Sequence, residues 1–91
     1  MIRKETKSLI DIPNVGKSIR DSLVRIGIKK PLDLVGKDPY QMYSDLCKVT
    51  RQKYDPCVLD IFISAVRYIE GGPAMKWWEY TAERKKKLGH L

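Results

Sequence analysis

The segment that most constrains the fold is the apolar stretch between Asp55-Pro56 and Gly71-Gly72-Pro73. Its start combines a carboxylate that can cap a helix with a proline at the first helical position, where the missing N–H group costs nothing. One face of the predicted helix is made by Val58, Phe62, Ala65, Val66 and Ile69, and Leu59 and Ile63 widen it. A helix this apolar is predicted to lie at the centre of the core.

The other segments are predicted to be helical as well. Asp38-Pro39 repeats the start signal, and the helix that it begins is predicted to end at about Thr50. After Gly16, apolar residues at positions i, i+4 and i+7 predict an amphipathic helix that Gly27 ends; they are Ile19, Leu23 and Ile26. Shorter helical pieces are predicted over residues 8–11, closed by a proline, and over residues 31–35. Because few stretches resemble strands, the predicted fold is an all-α domain of about five short helices.

Positive charge is concentrated at the two ends of the sequence. Residues 1–30 hold eight Lys or Arg against three Asp or Glu, residues 31–80 hold six against seven, and residues 81–91 hold four against one. Localised basic charge favours a polyanion as the partner, and a solvated surface with a basic tail is the alternative. The predicted domain covers residues 1–82. Residues 83–91 form a basic C-terminal tail, in which Arg84-Lys85-Lys86-Lys87 is expected to be disordered without a partner and could contact phosphates with one.

Several classes of function lack their sequence signals. No apolar run is long enough to span a bilayer, and the N-terminal residues do not resemble a secretory signal, so a cytoplasmic location without membrane contact is expected. Cys47 and Cys57, with His90 in the tail, do not supply a four-ligand zinc site. They are predicted to be buried thiols on adjoining helices, with a redox pair as the alternative. The carboxylates stand singly at caps and surface positions, and no catalytic set or cofactor site is predicted.

The string "IPNVGKS" at residues 12–18 resembles the end of a P-loop. The full P-loop motif is G-x-x-x-x-G-K-[ST], and counting back from Gly16 puts Asp11 where the first glycine should stand. A P-loop also follows a strand, whereas the segment before Gly16 is predicted to be helical. No bound nucleotide is therefore expected.

The same string fits a helix-hairpin-helix, whose pattern is a helix, a Pro-x-apolar-Gly turn, an amphipathic helix and Gly-Ile. Asn14 stands where that motif usually has glycine, and asparagine tolerates a positive φ. Val15 is predicted to enter the core, while Gly16 leaves the turn bare. The first N–H groups of the following helix then point at a phosphate, with help from the helix dipole. The alternative is that the turn only shapes the fold.

Three further segments, "DPYQMYSDLCKVT", "DPCVLDIFISAVRY" and "KWWEYT", occur in this order. With the hairpin they make the chain resemble the pathogenicity-locus family of small helix-hairpin-helix proteins, also called mitomycin-resistance proteins, over residues 8–82. The resemblance implies an all-α, tandem helix-hairpin-helix (SAM-like) fold with a degenerate second hairpin near residues 35–38. It also implies a relation to the DNA-binding modules of repair proteins.

The preferred hypothesis is a non-enzymatic module that binds the backbone of DNA, most simply of a duplex, without sequence preference. The predicted contact residues are Asn14, Val15, Gly16, Lys17, Ser18, Arg20, Lys29 and Lys30. The alternative is a protein-interaction adaptor that docks a partner through the aromatic segment at Trp77, Trp78 and Tyr80. These rings are expected mainly to cover the core, although they could also stack on single-stranded bases.

Overall fold

The computed structural model describes residues 1–88, and in this range every element is helical. Four α-helices are present: α1 (Lys17–Arg25), α2 (Pro39–Thr50), α3 (Pro56–Ile69) and α4 (Thr81–Leu88). Three single-turn 3₁₀ helices, Leu9–Asp11, Pro31–Leu34 and Trp77–Tyr80, precede α1, α2 and α4. The all-α class is confirmed, with four α-helices and three 3₁₀ turns where about five helices were predicted.

α3 is the central helix, as its apolar face predicts. It contacts α2, α4 and the 3₁₀ turns before α2 and α4. The core that it organises also takes Leu23 from α1 and Leu46 from α2, both fully buried. The two Asp-Pro signals start their helices as predicted, because the Asp38 carboxylate accepts from the N–H of Tyr40 and the Asp55 carboxylate from that of Cys57, each at 2.9 Å. Both helices are thereby capped by their own sequence.

The expectation that residues 84–87 are disordered without a partner is wrong, because these residues lie within a helix. α4 runs through the boundary proposed at residue 82, and Arg84 is only 7% exposed. Its Nε donates to Asp60 Oδ1 at 2.7 Å, and the Thr81 hydroxyl donates to Asp60 Oδ2 at 2.7 Å. Asp60 is fully buried in α3, so the prediction that the carboxylates all stand at caps and surfaces is wrong there. His90 lies outside the described residues.

The first residues of the chain are held against the C-terminal end of α3. The backbone N–H of Arg3 donates to the carbonyl of Ile69 at 2.8 Å, and its guanidinium donates to the carbonyls of Tyr68 and Gly72. The guanidinium also lies 4.2 Å from the centre of the Tyr68 ring, within the range of a cation–π interaction. Arg3, one of the basic residues counted at the N-terminus, is therefore bound to other parts of the protein.

None of the helices at residues 1–88 is long and apolar enough to cross a membrane.

Candidate nucleic-acid interface

The first turn, residues 12–16, joins a 3₁₀ turn to α1. Its backbone conformation and its burial agree with the sequence predictions. Asn14 has φ 72°, so the positive φ expected there is confirmed. The N–H of Val15 donates to the carbonyl of Ile12 at 3.1 Å, and the Val15 side chain is 5% exposed within the core. Burial of Ile12 and Val15 fixes the turn against the body of the protein. Packing of these two side chains thus holds the first turn in place before α1.

The start of α1 is open to solvent. Gly16 is the N-cap residue and offers no side chain to the helix, and Gly16, Lys17 and Ser18 are all exposed. Within residues 1–88 the N–H groups of these three residues and of Asn14 donate to no other group. Space around the Gly16 Cα is also empty, since a Cβ built there would meet nothing within 4 Å. Unpaired N–H groups at the positive end of a helix dipole favour an anion.

The Asn14 side chain faces the interior instead of this open surface. Its Nδ2 donates to Ser64 Oγ at 3.0 Å and to the carbonyl of Met75 at 2.7 Å. Asn14 therefore joins the first turn to α3 and to the segment before the last 3₁₀ turn. Only its backbone N–H remains for a ligand. Sequence reasoning missed Ser64, because a single serine on the face of an apolar helix gives no local signal of its partner.

The structure separates the predicted basic residues into two groups. Lys17 is exposed at the first position of α1, and Arg20 forms an ion pair with Asp21 at 3.3 Å. That pair is exposed and contributes little to stability. Lys29 and Lys30 instead follow the end of α1, where both side chains are exposed and both N–H groups donate to Asp33 Oδ2 at 3.0 and 3.2 Å. These bonds, the one from Lys29 most strongly, lower the pKa of Asp33.

A second turn, residues 34–38, repeats the backbone of the first, 22 positions later in the chain. Asp11 and Asp33 each accept the N–H group three residues before them, from Ser8 and Lys30, both at 3.2 Å. Three positions after each aspartate comes a positive φ, at Asn14 (72°) and Gly36 (77°). In the first turn the N–H of Val15 donates to the carbonyl of the buried Ile12 at 3.1 Å. In the second turn the N–H of Lys37 donates to the carbonyl of the buried Leu34, also at 3.1 Å.

The two turns differ where the α-helix begins. Gly16 leaves α1 without a side-chain cap, whereas Asp38, at the matching position, places a carboxylate on the N–H of Tyr40 in the first turn of α2. At neutral pH that carboxylate occupies the region where an external anion would bind. The first turn is therefore the one open to phosphate at its helix N-terminus.

The aromatic segment is divided between core and surface. Tyr80 is buried against Leu59 and Ile63, in line with the packing role expected for the segment. Trp77 is half-buried and meets Trp78 edge to face, with ring centres 5.5 Å apart. Trp78 itself is 56% exposed, and Lys76 Nζ lies 5.8 Å from its ring centre. One aromatic ring beside a cation is thus available to a partner.

Both cysteines are free thiols and half-buried, so they are more exposed than predicted. Burial, and then a hydrogen bond with Asp55, raises the pKa of Cys57. A raised pKa lowers the fraction of reactive thiolate, which disfavours the redox alternative. Among residues 1–88 no cluster of three or more His, Cys, Asp or Glu side chains could hold a metal ion.

Comparison with known proteins places the chain in a family. The family model described as "Pathogenicity locus" matches residues 2–86. A protein of Streptomyces lavendulae named "Mitomycin resistance protein McrB" is 40% identical over 88 residues, which cover 97% of this chain and 84% of that protein. None of the solved structures matches the chain.

Proposed function

This chain belongs to the pathogenicity-locus family, and we propose that it is a non-enzymatic module that binds the phosphate backbone of DNA through a helix-hairpin-helix at the first turn. The observation that carries the proposal is the open N-terminus of α1. The N–H groups of the exposed residues Gly16, Lys17 and Ser18 have no partner within residues 1–88, and Lys17 adds a positive charge at the first position of the helix. Backbone N–H groups at a helix N-terminus suit phosphate, and phosphate contacts carry no sequence information, which supports binding without sequence preference.

The charge distribution supports the same function. The first 30 residues carry a clear excess of positive charge, and Lys29 and Lys30 are both exposed in the segment that leads from α1 toward the second turn. Arg20 keeps part of its charge available, because its pair with Asp21 is exposed and weak. Duplex DNA is the simplest partner, since its phosphates lie at a density that several cations on one surface can meet.

The proposal is tested by fluorescence-anisotropy titrations of duplex DNA at several salt concentrations. Log affinity should fall linearly with log salt, with a slope of about −0.9 for each phosphate neutralised. Two duplexes of unrelated sequence should bind alike. Absence of binding even at the lowest salt concentration rules the proposal out.

The variant Lys17→Glu identifies the site. It should bind several-fold more weakly and keep its fold, because a carboxylate at the first position of α1 suits the helix dipole. The matched control is Lys53→Glu, which makes the same change of charge at an exposed position between α2 and α3, outside any helix. Equal losses in the two variants indicate a general charge effect and contradict a site at the first turn.

The exposed Trp78 favours a second candidate, a protein-interaction adaptor. An exposed tryptophan with a cation near its ring is typical of residues that anchor protein partners. Binding of a protein that persists at high salt and is lost in Trp78→Ala, with DNA binding unchanged, supports this function over the first.

A further inference from the structure

We infer that Glu70 is an internal substitute for phosphate at the second turn, so that the protein keeps one of two equivalent anion sites closed. For the first turn this rests on the proposed function; for the second it rests on contacts that the structure contains. The consequence is a module that holds the DNA backbone on the N–H groups of one turn, with Glu70 determining that the Gly36 N–H of the other turn does not take part.

The contact at the second turn joins distant parts of the chain. The N–H of Gly36 donates to Glu70 Oε2 at 2.9 Å across 34 residues. Glu70 follows the last residue of α3, so the end of the central helix delivers a carboxylate to the turn. A hydrogen bond from a backbone N–H to a carboxylate is charge-assisted, as a bond to phosphate would be. The turn is thus seen with an oxyanion bound to it.

The same N–H group is free at the first turn. Gly36 matches Asn14 in the repeat, and the Asn14 N–H donates to no group within residues 1–88. The turns also differ at the helix start, where Asp38 accepts from the N–H of Tyr40 at 2.9 Å, while the matching N–H of Ser18 has no acceptor there. Two carboxylates therefore occupy the donors of the second turn that correspond to unpaired donors of the first.

Charge on the surrounding surface agrees with this interpretation. Lys37 is exposed within the second turn, and Lys29 and Lys30 are exposed just before the 3₁₀ turn that leads into it, so positive charge flanks this part of the chain. Together with Asp33, the two internal carboxylates balance these three positive charges, and Glu70 and Asp38 also occupy backbone donors of the turn. Removal of the Glu70 carboxylate should then leave a cationic turn with a free N–H at Gly36.

The test is a titration of the ¹⁵N-labelled protein with inorganic phosphate, followed by amide NMR at constant ionic strength. In the wild type the Gly36 signal should not respond. In Glu70→Ala it should shift and saturate, and it should shift further in Glu70→Ala with Asp38→Asn, which keeps a helix cap but removes the second charge. The matched control is Glu5→Ala, an exposed carboxylate that lines a cleft with Gly71, beside Glu70.

A Gly36 signal that ignores phosphate in both the single and the double variant overturns the inference, as does an equal response in Glu5→Ala. These outcomes do not depend on DNA binding by the first turn. Failure of the proposed function appears separately, as first-turn amides of the wild type that respond to neither phosphate nor DNA.

Binding of DNA supplies a second readout. Glu70→Ala should bind more tightly than Glu5→Ala at low salt, and its log–log salt slope should be steeper by about 0.9, which is the contribution of one further phosphate. Equal slopes in the two variants contradict the inference, because a change of net charge alone affects both alike.

Discussion

Asn14 combines two properties that few residues can supply together. Its backbone adopts a positive φ, which asparagine tolerates better than other residues with a Cβ. Its amide donates to Ser64 and to the carbonyl of Met75, and so fixes the turn to the central helix. Glycine would supply only the first property. Asparagine at this position therefore adds a tertiary contact that glycine cannot make.

Substitutions at Asn14 should separate the two properties. Asn14→Gly keeps the backbone conformation and loses both hydrogen bonds, each worth about 0.5–1.5 kcal/mol. Asn14→Ala loses the bonds and also places a Cβ in the left-handed region, which adds about 1–2 kcal/mol. Urea denaturation should thus rank the free energy of unfolding as wild type, then glycine, then alanine. A glycine variant as stable as the wild type shows that the two bonds contribute nothing.

The sequence predicts the conformation of Asn14 and not its partners. The positive φ follows from the residue type and from its place between Pro13 and Val15, which is local information. Ser64 lies 50 residues away on a helix whose position depends on the whole core. The burial of Asp60 is not predicted by the sequence for a similar reason. A buried aspartate on an apolar helix looks like a surface residue until Arg84 is brought to it.

At the scale of the element, α1 lacks the cap that α2 and α3 possess. Asp38 and Asp55 each bond to the first turn of their helix, whereas Gly16 offers only backbone. A helix that begins without a capping side chain is less stable than the same helix with one. The proposed function explains the difference, since a cap at Gly16 would compete with phosphate for the same N–H groups.

Filling that cap should improve stability at the expense of binding. Gly16→Asp should raise the free energy of unfolding by a few tenths of a kcal/mol, because an aspartate caps better than glycine and its Cβ meets open space. DNA affinity should fall by about tenfold or more. Gly16→Asn is the control, since it caps without a charge and should lose less affinity. Stability is read from thermal unfolding and affinity from anisotropy.

Helices with chemical start signals are the elements that the sequence predicts best. α2 begins and ends where Asp38-Pro39 and the apolar spacing place it, and Asp55-Pro56 starts α3 as expected. Signals of this kind act within one turn of the chain. α4 is different. Its sequence after Ala82 is strongly basic, and it is anchored through Arg84, whose acceptor lies 24 residues earlier.

At the scale of the whole molecule, the pair Asp60–Arg84 attaches the last helix to the centre. Both side chains are buried, and Thr81 satisfies the second oxygen of Asp60. Loss of one partner from a buried pair leaves an uncompensated charge, whereas loss of both to apolar residues is often tolerated. The family model reaches residue 86, so it includes Arg84 and most of α4.

Arg84→Met should therefore lower the free energy of unfolding by about 3 kcal/mol or more. Asp60→Leu combined with Arg84→Met should recover most of the loss, because no charge then remains in the core. Lys85→Met, at an exposed position one residue further along α4, should change stability by less than about 0.5 kcal/mol. Guanidinium unfolding measures all three. Similar losses for Arg84→Met and Lys85→Met show that the pair does not hold the helix.

The sequence predicts the residues at the centre of the candidate site, but it does not predict which residues surround them. Gly16, Lys17 and Ser18 are local, and the structure exposes them together at one helix end. The separation of Lys29 and Lys30 to a second turn depends on tertiary structure. So does Glu70, whose contact with Gly36 exists only because α3 ends beside that turn.

The hydrogen bond from Asn14 to the Met75 carbonyl has an optical consequence. Met75 lies two and three residues before Trp77 and Trp78, which are the only indole fluorophores in the sequence. We expect a ligand that alters the first turn to affect, through this bond, the segment that leads into both chromophores. Tryptophan emission is thus a label-free signal already built into the chain, and DNA, with its weak absorbance at the long-wavelength edge of tryptophan excitation, can be titrated against it directly.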